Sequence, residues 1–356
     1  MNYMFNCENP NGRILRFFYF AAPSQYNINK IMNKYNLMRK GKYIMDSFIE
    51  IKNNEMKKIM EYLAGILHGK GNAIVKMLIS ILSRGHILLE DLPGLGKTTI
   101  AIALARALGL SFGRIQCTND LLPSDVTGLN IFRSERGEFE FRAGPVFNNL
   151  VLVDEINRAT PKTQSALLEA MGEEQTTIDG VTYNLPLPFV TIATQNPAEH
   201  SGTFPLPESQ IDRFMMKISI GYPVHNAERE ILRFGSQRDE IRNIKPIVSA
   251  DELMEMQSRI VESVKVSEKI LDYVLEITEV TRNHTDIEVG ISTRGAMTLL
   301  QAARACAWIQ NRDYVIHEDI KLIAPEVLLH RLQFKRNSAV QKREVLKNIM
   351  LGIAVF

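Results

Sequence analysis

Ile87-Leu88-Leu89-Glu90-Asp91-Leu92-Pro93-Gly94-Leu95-Gly96-Lys97-Thr98-Thr99 is an apolar run, then a turn containing glycine and proline, then the start of an Ala/Leu-rich segment over residues 100–108. Strand, glycine turn and helix in this order form a phosphate-binding loop. Glycines let backbone N–H groups turn inward onto phosphate oxygens, and the helix N-terminus behind them adds partial positive charge. Pro93, Gly94, Leu95, Gly96, Lys97, Thr98 and Thr99 are the candidate phosphate contacts. Lys97 is expected to reach the β- and γ-phosphates and the Thr98 hydroxyl to ligate Mg²⁺. Asp91 stands where the strict pattern has its first glycine, whereas Gly94, Gly96, Lys97 and Thr98 are all present.

On either side of the loop, strand and helix patterns alternate, which predicts a parallel sheet with covering helices. Strands are expected at 86–89, 111–116, 150–153, 189–194 and 215–220, which make one five-stranded α/β domain. Ile59, Leu63, Ile66 and Leu67 recur at helical spacing, and a second helix is expected over 73–83. Two hairpins interrupt the plan. Leu129 and Ile131 alternate with polar residues before a turn, and Phe139 and Phe141 alternate on the return. Asp179-Gly180 is a two-residue turn signal between the β-prone runs 176–178 and 181–183. Between the hairpins a helix is expected, with Thr160 as N-cap and Pro161 at its first position.

After Gly221-Tyr222-Pro223 the pattern becomes almost wholly helical, with Ser249 as a cap candidate. The expected organisation is an N-terminal extension (1–44), an α/β core (45–222), a linker (223–248) and an all-helical domain (249–356). Residues 45–67 read as the start of the folded unit. A chain of 356 residues suits two domains, since one core rarely grows past about 250 to 300 residues.

Composition narrows the class further. Cys7, Cys117 and Cys306 are widely spaced, so neither a disulfide framework nor a zinc-knuckle spacing is available, and a reducing cytoplasmic compartment is expected. No metal or triad spacing is found among the histidines. The apolar run at 17–22 is too short to span a bilayer. The net charge of +2 is asymmetric: residues 1–44 carry seven Lys/Arg and a single acid, Glu8, leaving 35 basic and 39 acidic residues elsewhere. That balance of −4 does not provide the basic surface that gripping nucleic acid requires.

Leu150-Val151-Leu152-Val153-Asp154-Glu155 delivers two acids at the C-terminal end of an expected buried strand, where ligands of open α/β sheets bind. Successive strand residues point to opposite sides, so the two acids can take different jobs. Asp154 is expected to hold hydrated Mg²⁺ and Glu155 to deprotonate the attacking water. Asn196 ends the next strand and is expected to help position that water. Arg213 leads into the last strand and Arg294 opens a helix of the second domain. A guanidinium placed on a γ-phosphate can accelerate phosphoryl transfer by about 10³ to 10⁵.

The ordered set Gly-Leu-Gly-Lys-Thr, Leu-Val-Asp-Glu-Ile-Asn-Arg, Ala-Thr-Gln-Asn-Pro, Leu-Pro-Glu-Ser-Gln-Ile-Asp-Arg-Phe and Ser-Thr-Arg-Gly resembles the MoxR family of AAA+ ATPases. So do Leu121-Leu122-Pro123-Ser124-Asp125 and Arg312-Asp313-Tyr314-Val315. The resemblance covers about residues 50 to 335. It implies the AAA+ P-loop NTPase fold, with a five-stranded core and a C-terminal helical lid. In its terms the loop around Lys97 is Walker A, and Asp154 and Glu155 are Walker B. Asn196 is sensor 1, Arg213 is a finger acting on a neighbouring subunit, and Arg294 is sensor 2 from the lid. The hairpins match the inserts of the helix-2-insert clade. Thr293, where proline is common, and Lys70, where glutamine is common near the adenine, depart from the pattern.

The resemblance implies ATP and Mg²⁺ as cofactors and a homo-oligomeric, hexameric ring. ATP is expected to clamp the lid against the core through Arg294, and pore-facing hairpins to act on a protein client. The implied role is chaperone-like maturation of partner complexes, with von Willebrand factor A-domain proteins among the partners. The alternative readings are a metal-chelatase-like motor subunit and a nucleic-acid-dependent AAA+ motor.

Overall fold

The computed structural model describes residues 49–197, 202–223, 225–235, 241, 243–335 and 341–354, together with two N-terminal strands. The chain divides into two compact units, 1–44 and 45–356. In the first, β1 (Tyr3–Glu8) pairs antiparallel with β2 (Ile14–Tyr19), Tyr3 opposite Tyr19. The rest of the expected extension lies outside the described residues.

The second unit begins with α1 (Asn54–Ile66) and α2 (Gly71–Leu82). The Asn53 side chain caps α1 by accepting from Glu55 N and Met56 N, which are among the N–H groups a helix start leaves without internal partners. The strands of the core are β3 (His86–Glu90), β4 (Phe112–Gln116), β7 (Leu150–Asp154), β10 (Val190–Gln195) and β11 (Phe214–Ile218). They lie in the order β11-β3-β10-β7-β4, and every pair is parallel. β3 and β7 carry continuous apolar runs, 87–89 and 150–153, because both faces of the sheet are covered. Ile87, Leu89, Leu150, Leu152 and Ile192 join the core that includes α1, α2 and α3 (Lys97–Ala107). Leu88, Val151, Val153 and Ala193 pack on the other face with Leu167, Leu168 and Met171 of α5 (Pro161–Glu173). Thr160 caps α5 by accepting from Thr163 N, as its position before Pro161 predicts.

A short helix, α4 (Pro123–Thr127), precedes the first hairpin, β5 (Gly128–Arg133) with β6 (Glu138–Ala143). The second pairs β8 (Gln175–Ile178) with β9 (Val181–Asn184) across Asp179-Gly180, both at positive φ (50° and 82°), as a two-residue turn of this type requires. Phe141 stacks on Tyr183 with ring centroids 4.1 Å apart, and Asn130 Nδ2 donates to Asp179 Oδ2 at 2.8 Å, so the two hairpins are joined.

A single turn, α6 (Glu208–Ile211), leads into β11, and α7 (His225–Phe234) occupies part of the stretch expected as a linker. The C-terminal region contains α8 (Ala250–Ser263), α9 (Glu268–Asn283), α10 (Thr293–Ile309), α11 (His317–Leu328) and α12 (Lys342–Gly352). Ser249 and Glu252 form a reciprocal capping box at the start of α8. A small ribbon, β12 (Ile287–Val289) with β13 (Gln333–Phe334), sits among these helices. It escapes sequence reading because three- and two-residue strands carry no measurable alternation. Arg312, from the Arg-Asp-Tyr-Val segment, grips the fully buried Asp319 through both terminal nitrogens, at 2.7 and 2.5 Å, and thereby braces the start of α11. The apolar core on the α1–α3 side of the sheet runs on without a break into these helices. No helix among the described residues is long and apolar enough to cross a membrane.

Candidate active site

The turn after β3 carries Gly94 and Gly96 at φ +84° and +83°, and no atom lies within 4 Å of where a Cβ would sit on either. Backbone conformation, not crowding, therefore selects glycine here. Gly96 is the N-cap of α3 and offers no side-chain acceptor, which leaves the first N–H groups of the helix available to an anion. Lys97 Nζ donates to the Asp91 carbonyl at 2.5 Å. Burial lowers the affinity of Lys97 for its proton, while the charges of Asp91, Asp154 and Glu155 oppose that loss.

Asp91 has a structural job that accounts for its replacement of the pattern's first glycine. Its carboxylate accepts from Ser219 Oγ (2.7 Å), Ile220 N (2.5 Å) and Gly221 N (3.3 Å), tying the phosphate loop to the end of β11. Lys70, the other departure, is buried and donates to the Gly221 carbonyl at 2.8 Å. Burial lowers its pKa, with Asp91 partly compensating.

Asp154, 7% exposed, closes β7. Arg114, two residues before the end of the neighbouring strand, donates from Nε to Asp154 Oδ2 at 2.8 Å. Glu155 does not continue the strand alternation: it turns left-handed (φ 56°, ψ 52°), and its N–H donates to Thr194 Oγ1 at 2.9 Å. The Glu155 carboxylate accepts from Arg158 Nη1 at 3.2 Å and Gln116 Nε2 at 3.5 Å. Ala193 pairs with Val153, so Asn196, half-buried just past β10, lies on the same edge of the sheet as the acids. Burial, reinforced by Asp154 and Glu155, pushes the nearby Cys117 thiol up to about 12, too high for it to act as a nucleophile.

Lys97, Thr98, Asp154, Glu155 and Asn196 thus gather at the C-terminal ends of parallel strands. The two arginines do not join them. Arg213 immediately precedes β11, and its Nη1 donates to the Leu168 carbonyl of α5 at 2.9 Å. Phe214 pairs with His86 at the start of β3. From His86 to Asp91 is five residues of extended chain, about 16 Å. Arg294 is exposed in the first turn of α10, and the adjacent Gly295 lies against Arg331, whose Nη2 donates to the Phe214 carbonyl at 2.8 Å. Arg294 therefore shares the N-terminal edge of the sheet with Arg213. The structure thus does not bring Arg294 beside Lys97, where the expectation of a clamp over this chain's own nucleotide would have it. The cause is the docking of α10 along α2, marked by Ser83 Oγ donating to the Gln301 carbonyl at 3.3 Å.

The loop edge fits a magnesium triphosphate. It combines an uncapped helix start, two open positive-φ glycines, a lysine, and the hydroxyl and carboxylate oxygens that a hard cation prefers. Arg114, Gln116 and Arg158 are site residues to which motif reading gave no role; Asp91 and Lys70 stood out in the sequence only as departures from the pattern. The one available signal was the period-two spacing of Arg114 and Gln116 on a strand beside Asp154.

Residues 86–216 match the ATPase family associated with various cellular activities (AAA), and residues 279–349 match the AAA lid domain. YeaC of Bacillus subtilis, an uncharacterized protein, is 43% identical over 301 residues, which cover 84% of this chain and 94% of that protein. Chaperone MoxR1 of Mycobacterium tuberculosis is 42% identical over 277 residues, covering 75% of this chain and 72% of the relative. The crystal structure of a presumed ATPase from Cytophaga hutchinsonii superposes with a TM-score of 0.80 at 38% identity, covering 91% of this chain and 99% of the other.

Proposed function

Since the chain belongs to the MoxR family of AAA+ ATPases, we propose that it is a Mg²⁺-dependent ATPase that works as a hexameric ring and remodels a partner protein complex. The observation that carries this reading is the separation of its site residues: Lys97, Asp154 and Glu155 lie on one edge of the sheet, Arg213 and Arg294 on the other. Each chain then holds two halves of different sites. A neighbour that apposes its arginine edge to this chain's loop edge completes a pocket, and repetition of that heterologous contact closes a ring.

Within the pocket, the N–H groups of residues 93–99 and Lys97 would hold the phosphates, and Thr98 and Asp154 would hold Mg²⁺. The bound metal supplies charge neutralisation at the phosphoryl group. Glu155 takes the proton of the attacking water, with Asn196 orienting it. Arg213 and Arg294 of the neighbouring chain meet the charge that develops on the γ-phosphate. The joined hairpins are the proposed contact with the client: Phe132 and Phe139 form a cross-strand pair near the turn, 55% and 71% exposed. A chaperone-like action on a complex containing a von Willebrand factor A-domain protein is the role we assign.

The test uses three variants and a fluorescent ATP analogue. Lys97→Ala should lose affinity for it, and Glu155→Gln should retain affinity and stop turnover. Arg213→Ala should bind but turn over slowly, and mixing it with Glu155→Gln should restore activity. Normal hydrolysis by Glu155→Gln would remove the base assignment, and failure of the mixture to recover would remove the shared site.

A further inference from the structure

Arg331 lies three residues beyond the end of α11, with its side chain 3% exposed. Its Nε donates to Asp212 Oδ1 at 2.7 Å, its Nη2 to the Asp212 and Phe214 carbonyls at 3.0 and 2.8 Å, and its Nη1 to the Met215 carbonyl at 3.1 Å and to the Val327 carbonyl. Three of the four backbone positions 212–215 are thereby held by one guanidinium; the remaining one is Arg213. His330 adds a contact from Nε2 to the Phe214 carbonyl at 3.0 Å. On its other side, Arg331 touches the first turn of α10: a Cβ on Gly295 would stand 3.1 Å from Arg331 Cδ.

Lid docking alone does not call for this arrangement, since a continuous apolar core already joins the lid helices to the α/β core. A buried ion pair contributes little to stability once desolvation is counted, and its best-attested use is to specify geometry. Here the geometry specified is that of the turn carrying Arg213 relative to the helix carrying Arg294.

We propose that Arg331 is a positioning residue that locks Arg213 and Arg294 into one rigid face, so that both guanidiniums reach the neighbour's nucleotide together. The proposal rests on the ring reading above.

The test places the substitution on one side of a mixed assembly at a time. In the parent mixture, Glu155→Gln chains donate arginines and Arg213→Ala chains hydrolyse. Adding Arg331→Lys to the donor should cut the restored rate by about tenfold or more, because small misplacements of catalytic groups cost that much. Adding it to the hydrolysing chain should leave the restored rate unchanged. Asp212→Asn, which keeps shape and removes the charge, should repeat the asymmetry. Affinity of each variant for the fluorescent nucleotide should match its parent, since that loop lies at the far edge of the sheet. Equal losses in both placements, or no loss in either, overturn the proposal. A parent mixture that fails to recover identifies the ring reading as the fault and takes the proposal with it.

Discussion

Arg114 holds Asp154: its Nε donates to the carboxylate at 2.8 Å from the adjacent strand, and the arginine side chain is 51% exposed. The acid proposed to hold Mg²⁺ is thus already paired with a half-exposed cation, and metal loading would exchange one positive partner for another. A half-exposed pair is worth only about 0.2 to 1 kcal/mol. Arg114→Ala should therefore lower the Mg²⁺ concentration for half-maximal turnover by up to about fivefold at saturating ATP. A rise in that concentration would show that Arg114 supports the metal instead of competing with it.

Gly172 sits in α5 where an added Cβ would collide with Arg213 Nη1, the tip of a flexible side chain. Gly172→Ala should leave stability unchanged or raise it, since alanine favours a helix over glycine by about 1 kcal/mol. It should also displace the Arg213 guanidinium. Thermal unfolding and nucleotide affinity are expected to hold while turnover by the proposed ring falls. Retained turnover would mean that the finger does not depend on its seat against α5.

Asp91→Gly restores the strict loop pattern and should nonetheless weaken the protein. Ser219, Ile220 and Gly221 would lose their common acceptor, at a cost on the order of 2 to 4 kcal/mol. Denaturant unfolding should show that loss. Nucleotide affinity should stay near that of the parent, because Lys97 contacts the backbone carbonyl at position 91 and not its side chain.

His86 titrates far below its ordinary range. Burial brings it down to about 4 from 6.5, the Met171 carbonyl opposing and the Arg213 charge assisting. Its Nδ1 accepts from Thr191 N–H, so Nε2 carries the proton donated to Met171. Between pH 4 and 6.5 the unfolded chain binds the extra proton and the folded one does not. The contribution to stability is therefore full above about pH 6.5 and is lost as pH falls toward 4, on the order of 3 kcal/mol in all. His330, lowered to about 3 mainly by burial and then by Arg331, adds a second loss over an overlapping window. Urea titrations at pH 5 and pH 7.5 should show His86→Gln losing less stability on acidification than the parent. Equal losses would exclude His86 as a contributor.

Much of the fold was legible because the signals are local. The strand cores at 87–89 and 150–153 are apolar on both faces, Thr160-Pro161 and Ser249 announce helix starts, and Asp179-Gly180 announces a turn. Each needs only its own neighbours to take effect. The acids at the end of β7 and the glycines before Lys97 were legible for the same reason: a parallel sheet collects the C-terminal ends of its strands on one edge whatever their order. The partners of those residues were not. Asp91 meets Ser219, Ile220 and Gly221 across more than a hundred residues, and Arg114 meets Asp154 only because β4 is the neighbour of β7.

The linear chain announced the phosphate loop, the acids and the arginines, because such motifs depend on residue type and short spacing. It did not place Arg294 relative to Arg213 and Lys97. The docking of α10 on α2, and the grip of Arg331 on the turn at 212–215, put Arg294 beside Arg213 and away from Lys97. Helix-on-helix docking is set by the summed packing of many side chains distant in sequence, so no short motif could have announced it.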